Sequence, residues 1–467
     1  MTRLAESDVQ ASAGPVGPVA VISPPATGVG AISNRARRLA TVIASHPVVD
    51  TYSNFMAPLI GILLIRCDLT ARQEASLIGI SSLSAGLAQP VFAFLADRLD
   101  TRVFAPLGLV AAAVCMSSIG MAQNYGTLVV LIVIGMGGVG IYHPIAVASA
   151  GRLSGRRRTT GVTVFFACGM VGATIGPLVS TRLTALDNGF MLLGLCMIPG
   201  ILVAFILHRM IHDVPHASRQ RGRPVERVSH VRTRWFMMML ITIGNALRYS
   251  VNIALIYLYV QWAESATAAQ QTAMSAEAIA SEASLLAGTL QASMMFGMGL
   301  GGLIVGTLAT RRTEIALFTI IPLLFAPTVA AFTVATPAFA WLLAILAGIG
   351  FAAVIPVSIS VAQRLLPHRA SVASSLAMGV GWAVASLAPN LAQRGIERFG
   401  LTTTFLITAG VLALSGIVSI PIRTRGLTDE PHEHTHHDAT HEPRTMTDCT
   451  KEHADDRDRG HNGRHDA

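Results

Sequence analysis

Twelve apolar runs follow one another between residues 40 and 422, each near the length a helix needs to cross a lipid bilayer. The bilayer interior offers the backbone no hydrogen-bonding partner, so such runs fold as helices of about 20 residues whose N–H and C=O groups are satisfied internally. Six lie near 40–65, 75–95, 103–122, 126–150, 161–182 and 189–208. Six more lie near 235–261, 284–309, 314–334, 338–362, 371–392 and 401–422. The arginine-rich stretch at residues 208–234 separates the two sets. Composition agrees, because 52% hydrophobic and 13% charged residues are too apolar a balance for a soluble chain of this length.

The same composition excludes several classes of function. The basic residues are 33 arginines and one lysine, Lys451, and nearly all of them fall in the tails and in connections between apolar runs, so a nucleic-acid partner is not implied. Cys67, Cys115, Cys168, Cys196 and Cys449 show no CxxC pairing, and those inside apolar runs act as small hydrophobes. No nucleotide loop, nucleophile motif or usefully spaced carboxylate pair occurs in the short polar segments. An enzyme and an ATP-driven pump are therefore disfavoured, and no cofactor is called for. Residues 1–39 and 423–467 read as disordered tails, 40–208 and 235–422 as two six-helix halves, and 209–234 as a basic loop.

Basic connections stay on the cytoplasmic side. One set of connections, beginning with the N-terminal tail, carries 22 arginines and the opposite set carries 5. Both termini are therefore expected in the cytoplasm. Shifted by 212 positions, the two halves superpose Gly138 on Gly350, Pro144 on Pro356, Arg152 on Arg364, Gly169 on Gly381 and Pro177 on Pro389. Backbone geometry and topology set the placement of these residue types, so the coincidence indicates an internal duplication, as in transporters built from repeats. The expected fold is thus all-α and integral to the membrane, with twelve helices in two pseudo-symmetric halves.

The segment "FAFLADRLDTR" resembles the loop between helices 2 and 3 of the major facilitator superfamily, of form GxxxDRxGRR, through Asp97, Arg98 and Arg102. Ala93, Asp100 and Thr101 depart from that pattern. Within the superfamily, "SHPVVDTYSNFMAPL" and "GIYHPIAVASAGRL" resemble the fosmidomycin-resistance branch, which carries an S-H-x-x-x-D element and an H-P dipeptide at these places. The resemblance covers residues 40 to 425 and implies a secondary transporter, typically a proton-driven exporter of small molecules. It also implies that Asp97 and Arg98, with Arg102, act in gating and that helices 1, 4, 7 and 10 line the central pathway. That lining would gather Asp50, His143, Arg248 and Asn252 around one volume.

Inside the first run, His46, Asp50 and Asn54 are spaced i, i+4, i+8 and share one helix face. An ionised aspartate at the centre of a membrane helix is unfavourable by about 2.5–3.5 kcal/mol, so it persists only with water, a partner or a function. A carboxylate facing a volume that alternately opens and closes can take up and release a proton once per cycle. Asp50 is accordingly the candidate proton site, with His46 and His143 as candidate relays. The competing reading of Asp50 is a permanent tie to a neighbouring helix or to Arg248. Arg248 lies far from either surface, and together with Asn54, Tyr142 and Asn252 it is a candidate for a substrate cavity, where a guanidinium favours an anionic group.

Pro47 and Pro144 each free a carbonyl one turn earlier and should bend their helices. Gly169, Gly176 and Pro177 in "GMVGATIGP", with Pro356 and Pro389, read as packing and bending positions. The tail histidines His432, His434, His436, His437 and His441 stand among carboxylates and form a weak candidate metal site. Together these features describe an inner-membrane, monomeric exporter of a small, drug-like and anionic compound, its partners being substrate, protons and the bilayer. Uptake of a metabolite, efflux of nickel, cobalt or zinc, and a non-transporting sensor are the rival readings.

Overall fold

The computed structural model describes residues 29–96, 103–211, 230–270, 274–366, 373 and 376–423. Every regular element among the described residues is helical. The first half comprises α1 (Val29–Ser53), α2 (Ile60–Arg66), α3 (Ala71–Ala96), α4 (Phe104–Ser117), α5 (Tyr125–Leu153), α6 (Arg158–Thr184), α7 (Gly189–Leu195) and α8 (Met197–Ile211). The second comprises α9 (Val231–Gln270), α10 (Ala276–Leu308), α11 (Glu314–Ala330), α12 (Pro337–Ala352), α13 (Ile355–Leu365), α14 (Gly381–Ala385) and α15 (Ala388–Ile417).

Ten segments among the described residues are long and apolar enough to cross a membrane, from Asn34–Arg66 to Leu376–Ile417. The apolar helix α4 is shorter and is followed by a 3₁₀ turn, Ile119–Met121. Gly400 has φ +83°, outside any right-handed helix, so α15 is two helical stretches meeting at that glycine. Ten is two fewer than the twelve spans expected; α4, shorter than a span, and the break at Gly400 lie where the other two were expected. Leu202, Phe205, Leu303 and Leu324 are exposed on helix faces, as side chains that meet lipid rather than water must be.

Packing repeats between the halves. Both α3 and α4 lie on α5, and both α10 and α11 lie on α12. Between halves, α6 packs on α10 and α3 on α15. Helix ends are closed by local chemistry: Asn124 caps α5 by accepting from the Thr127 N–H at 3.0 Å, and Ser275 caps α10 through Ala278 at 3.3 Å. At the other end of α5, Arg35 donates from Nε to the Leu153 carbonyl at 2.7 Å and from Nη2 to that of Arg152 at 3.2 Å.

The prolines divide into two groups. Pro47, Pro144 and Pro177 lie inside α1, α5 and α6. Pro356 and Pro389 instead stand in the first turns of α13 and α15, where a proline's missing N–H has no helical partner to lose.

Candidate functional site

Asp50 is the midpoint of the span Asn34–Arg66, and it meets two imidazoles. His46, one turn earlier on α1, places Nε2 3.2 Å from Asp50 Oδ2. His143, from α5, places Nε2 3.3 Å from Asp50 Oδ1. The two Nε2 atoms are 3.2 Å apart. His46 and Asp50 are 1% and 7% exposed, so the cluster is withdrawn from the surface, while the His143 side chain keeps 22% exposure.

The far side of each ring decides its tautomer. His46 Nδ1 lies 2.6 Å from the Phe165 carbonyl and His143 Nδ1 lies 2.8 Å from that of Val139. A carbonyl oxygen only accepts, so both Nδ1 atoms carry hydrogen. In neutral imidazoles of that tautomer both Nε2 atoms present lone pairs. Those lone pairs would face each other and the acceptor oxygens of an ionised Asp50. The cluster therefore needs at least one further proton to turn its contacts from repulsions into hydrogen bonds. With one proton it is neutral overall, the state least costly to bury.

Helix α6 builds the wall behind this cluster. The Phe165 ring stacks on His46 with centroids 3.8 Å apart and planes 14° from parallel. One turn further on, a Cβ at Gly169 would collide with His46 Cε1 and come within 2.7 Å of Asp50 Oδ2. The next glycines on that face lie against α1 as well: Gly172 meets the Pro47 carbonyl, and a Cβ at Gly176 would stand 2.5 Å from the Thr51 carbonyl. The absence of side chains at these positions lets α6 approach α1 closely enough to place Phe165 on His46.

The remaining residues singled out in the sequence are placed as follows. Helix α1 ends at Ser53, and Asn54 lies in the turn beyond it, its Nδ2 donating to the Asp50 carbonyl at 2.9 Å. It therefore acts on the helix end, not as a third member of the polar stripe. Tyr142 is fully buried, its hydroxyl 2.7 Å from Ser45 Oγ.

Arg248 does not join Asp50. Its Nη2 donates to the Phe318 carbonyl at 2.9 Å, the Ser415 carbonyl at 3.3 Å and Ser419 Oγ at 3.0 Å, and its Nη1 donates to Asn245 Oδ1 at 3.1 Å. The guanidinium thus ties α9 to α11 and α15 within the second half, at 1% exposure. Asn252 is also buried, with Nδ2 3.4 Å from Met298 Sδ on α10. Asp97, Arg98, Arg102 and the tail histidines from His432 to His441 lie outside the described residues.

Two features have no counterpart in the sequence reading. The Phe165 and Val139 carbonyls that orient the imidazoles are main-chain atoms, which carry no residue signature. Glu74, 1% exposed on α3, accepts from Gln261 Nε2 of α9 at 3.2 and 3.3 Å and so bridges the halves. An acidic residue immediately before an apolar run, in the first turn of its helix, is the signal that would have marked it.

A polytopic helical bundle of two matching halves, with a protonatable cluster buried at the centre of one, defines a membrane transporter. The chain belongs to the Major Facilitator Superfamily, which it matches over residues 48–389. Among characterised proteins it is similar to the fosmidomycin resistance protein of Escherichia coli (strain K12), 22% identical over 165 residues, or 34% of this chain. That alignment spans 41% of the relative's length. Among solved structures, a bacterial homologue of the human lysosomal transporter Spinster, captured inward-facing and occupied, aligns with TM-score 0.64 at 17% identity. It covers 83% of this chain and 96% of that one. A POT family transporter in complex with a thioalcohol-conjugated peptide gives TM-score 0.66 at 14% identity, over 84% and 97% of the two chains. These likenesses are of fold.

Proposed function

We propose that the chain is a proton-coupled secondary transporter that exports a small, anionic organic compound by alternating access of its two halves, with His46, Asp50 and His143 holding the coupling proton. The observation that carries this reading is that two imidazoles, each held at Nδ1 by a carbonyl, face one buried carboxylate through Nε2, an arrangement that needs a proton or another cation among the three groups. Losing that proton would drive the three groups apart, which links protonation to the fit of α5 against α1 and α6. The similarity to a fosmidomycin resistance protein supports efflux of a drug-like anion. The arginine bias of the connections supports an inner-membrane orientation with both ends in the cytoplasm.

The test uses everted membrane vesicles energised by respiration, recording collapse of the pH gradient when fosmidomycin or other small organic anions are added. Wild type and Asp50→Asn are compared at equal protein level. Collapse in wild type and none in the variant supports proton antiport and identifies the substrate class. An unchanged response in the variant would remove Asp50 from coupling, and no response in either protein would remove antiport.

A further inference from the structure

We infer that the His46, Asp50 and His143 side chains form a binding site for one divalent transition-metal ion of the zinc class. Two imidazole nitrogens and one carboxylate are a donor set that suits zinc, cobalt and nickel. The two Nε2 atoms are 3.2 Å apart, and each meets a different Asp50 oxygen, His46 at 3.2 Å from Oδ2 and His143 at 3.3 Å from Oδ1, so that one donor atom from each group lies within 4.8 Å of the others. A tetrahedral zinc ion with bonds of about 2.0–2.1 Å keeps its ligand atoms about 3.3 Å apart, so the two imidazole nitrogens already stand at the separation the ion requires and a small rotation of the Asp50 carboxylate completes the set.

The outer contacts point the same way. Metal-ligating histidines present one nitrogen to the ion and donate the other ring N–H to a carbonyl or carboxylate, which fixes the tautomer and the ring plane. Both imidazoles here do so, His46 to Phe165 and His143 to Val139, and this leaves both Nε2 lone pairs directed at the carboxylate. Phe165 stacked on His46 limits rotation of that ring. Three protein ligands leave the fourth tetrahedral position open, and the partial exposure of His143 puts that position on the accessible side of the cluster. A metal ion and the coupling proton would use the same lone pairs and exclude each other, but the inference does not depend on proton coupling, on the cargo or on the direction of transport.

The test is equilibrium binding to the full-length chain in detergent, stripped of metal with a chelator. The eight histidines of residues 429–467 are replaced by glutamine so that the tail contributes no imidazole. Titration calorimetry with Zn²⁺ should find one ion per chain. Asp50→Asn and His143→Gln should each weaken that binding at least ~10-fold, the low end of what even an outer-contact loss costs a metal site. Equal binding by the parent and both variants, or no binding by the parent up to about 1 mM, would overturn the inference. Co²⁺ supplies a readout that needs no variant. The parent should show the intense visible absorption of four-coordinate cobalt, and only the pale spectrum of the hydrated ion would overturn the assignment. Neither measurement involves a gradient, so failure of antiport in vesicles and failure of metal binding are separate results.

Discussion

At the scale of single residues, the absence of a side chain at Gly169 matters as much as the polar groups it faces. A Cβ there would collide with His46 and crowd Asp50, so Gly169→Ala is expected to displace the cluster from α6. Overpacking of this kind costs about 1–3 kcal/mol. Thermal unfolding should register that loss, and vesicle assays should show gradient-coupled transport falling further than the amount of folded protein. Arg248→Lys should behave in the opposite way. Lysine cannot span the Phe318 and Ser415 carbonyls, Ser419 and Asn245 at once, so stability should drop by about 1–3 kcal/mol. Transport per folded molecule and its dependence on substrate charge should stay as in wild type, because the guanidinium lies in the packing of the second half. A change in anion selectivity would return Arg248 to the substrate pathway. The i, i+4 spacing put His46 and Asp50 on one helix face in the sequence and the HP dipeptide drew attention to His143, but the contacts among the three are visible only in the structure. The neighbours of Arg248 were not legible, since carbonyls from α11 and α15 and the Ser419 hydroxyl just past α15 reach it across 70 to 171 residues of chain.

At the scale of elements, the apolar runs located the membrane helices because burial in lipid leaves little choice of residue, but their ends depend on subtler preferences. The seventh run was expected to stop near residue 261, yet α9 continues to Gln270 through "ESATAAQ", whose alanines favour continuation of the helix once it is nucleated. The glycine face of α6 was read as close packing, and the structure gives that packing its partner, α1. Gly172 meets the Pro47 carbonyl, so Gly172→Ala is expected to push the two helices apart and destabilise the protein by about 1–3 kcal/mol. Gly410, on the outer face of α15, has nothing within 4 Å of the position a Cβ would take. Gly410→Ala should be neutral or stabilising by up to about 1 kcal/mol, because it only removes a helix-interior glycine. Thermal unfolding of both variants in the same detergent checks the pair, and equal shifts would show that α6 does not depend on the close approach.

At the scale of the whole bundle, the halves meet through side chains at the end that carries few arginines. Gln261 of α9 donates to Glu74 of α3, Ser76 Oγ of α3 donates to Asn390 Oδ1 of α15 at 3.0 Å, and Glu264 of α9 lies against Gly61 of α2. The repeat visible in the sequence indicated two halves but not where they touch, because these contacts join positions that are not symmetry mates. Alternating access requires this end to separate once per cycle. A covalent tie across it should therefore arrest transport without unfolding either half. The residue pair to use is Ser76 and Asn390, whose side chains already meet and which lie outside the proton cluster. In a background with the five native cysteines replaced by alanine, Ser76→Cys with Asn390→Cys should cross-link on oxidation, because the two side chains already meet across the seam. Transport should fall to the level of empty vesicles on oxidation and recover on reduction, while either single cysteine variant responds to neither treatment. Undiminished transport by the fully cross-linked protein would mean that this end stays closed throughout the cycle, and the two halves would then have to work by some motion other than alternate opening.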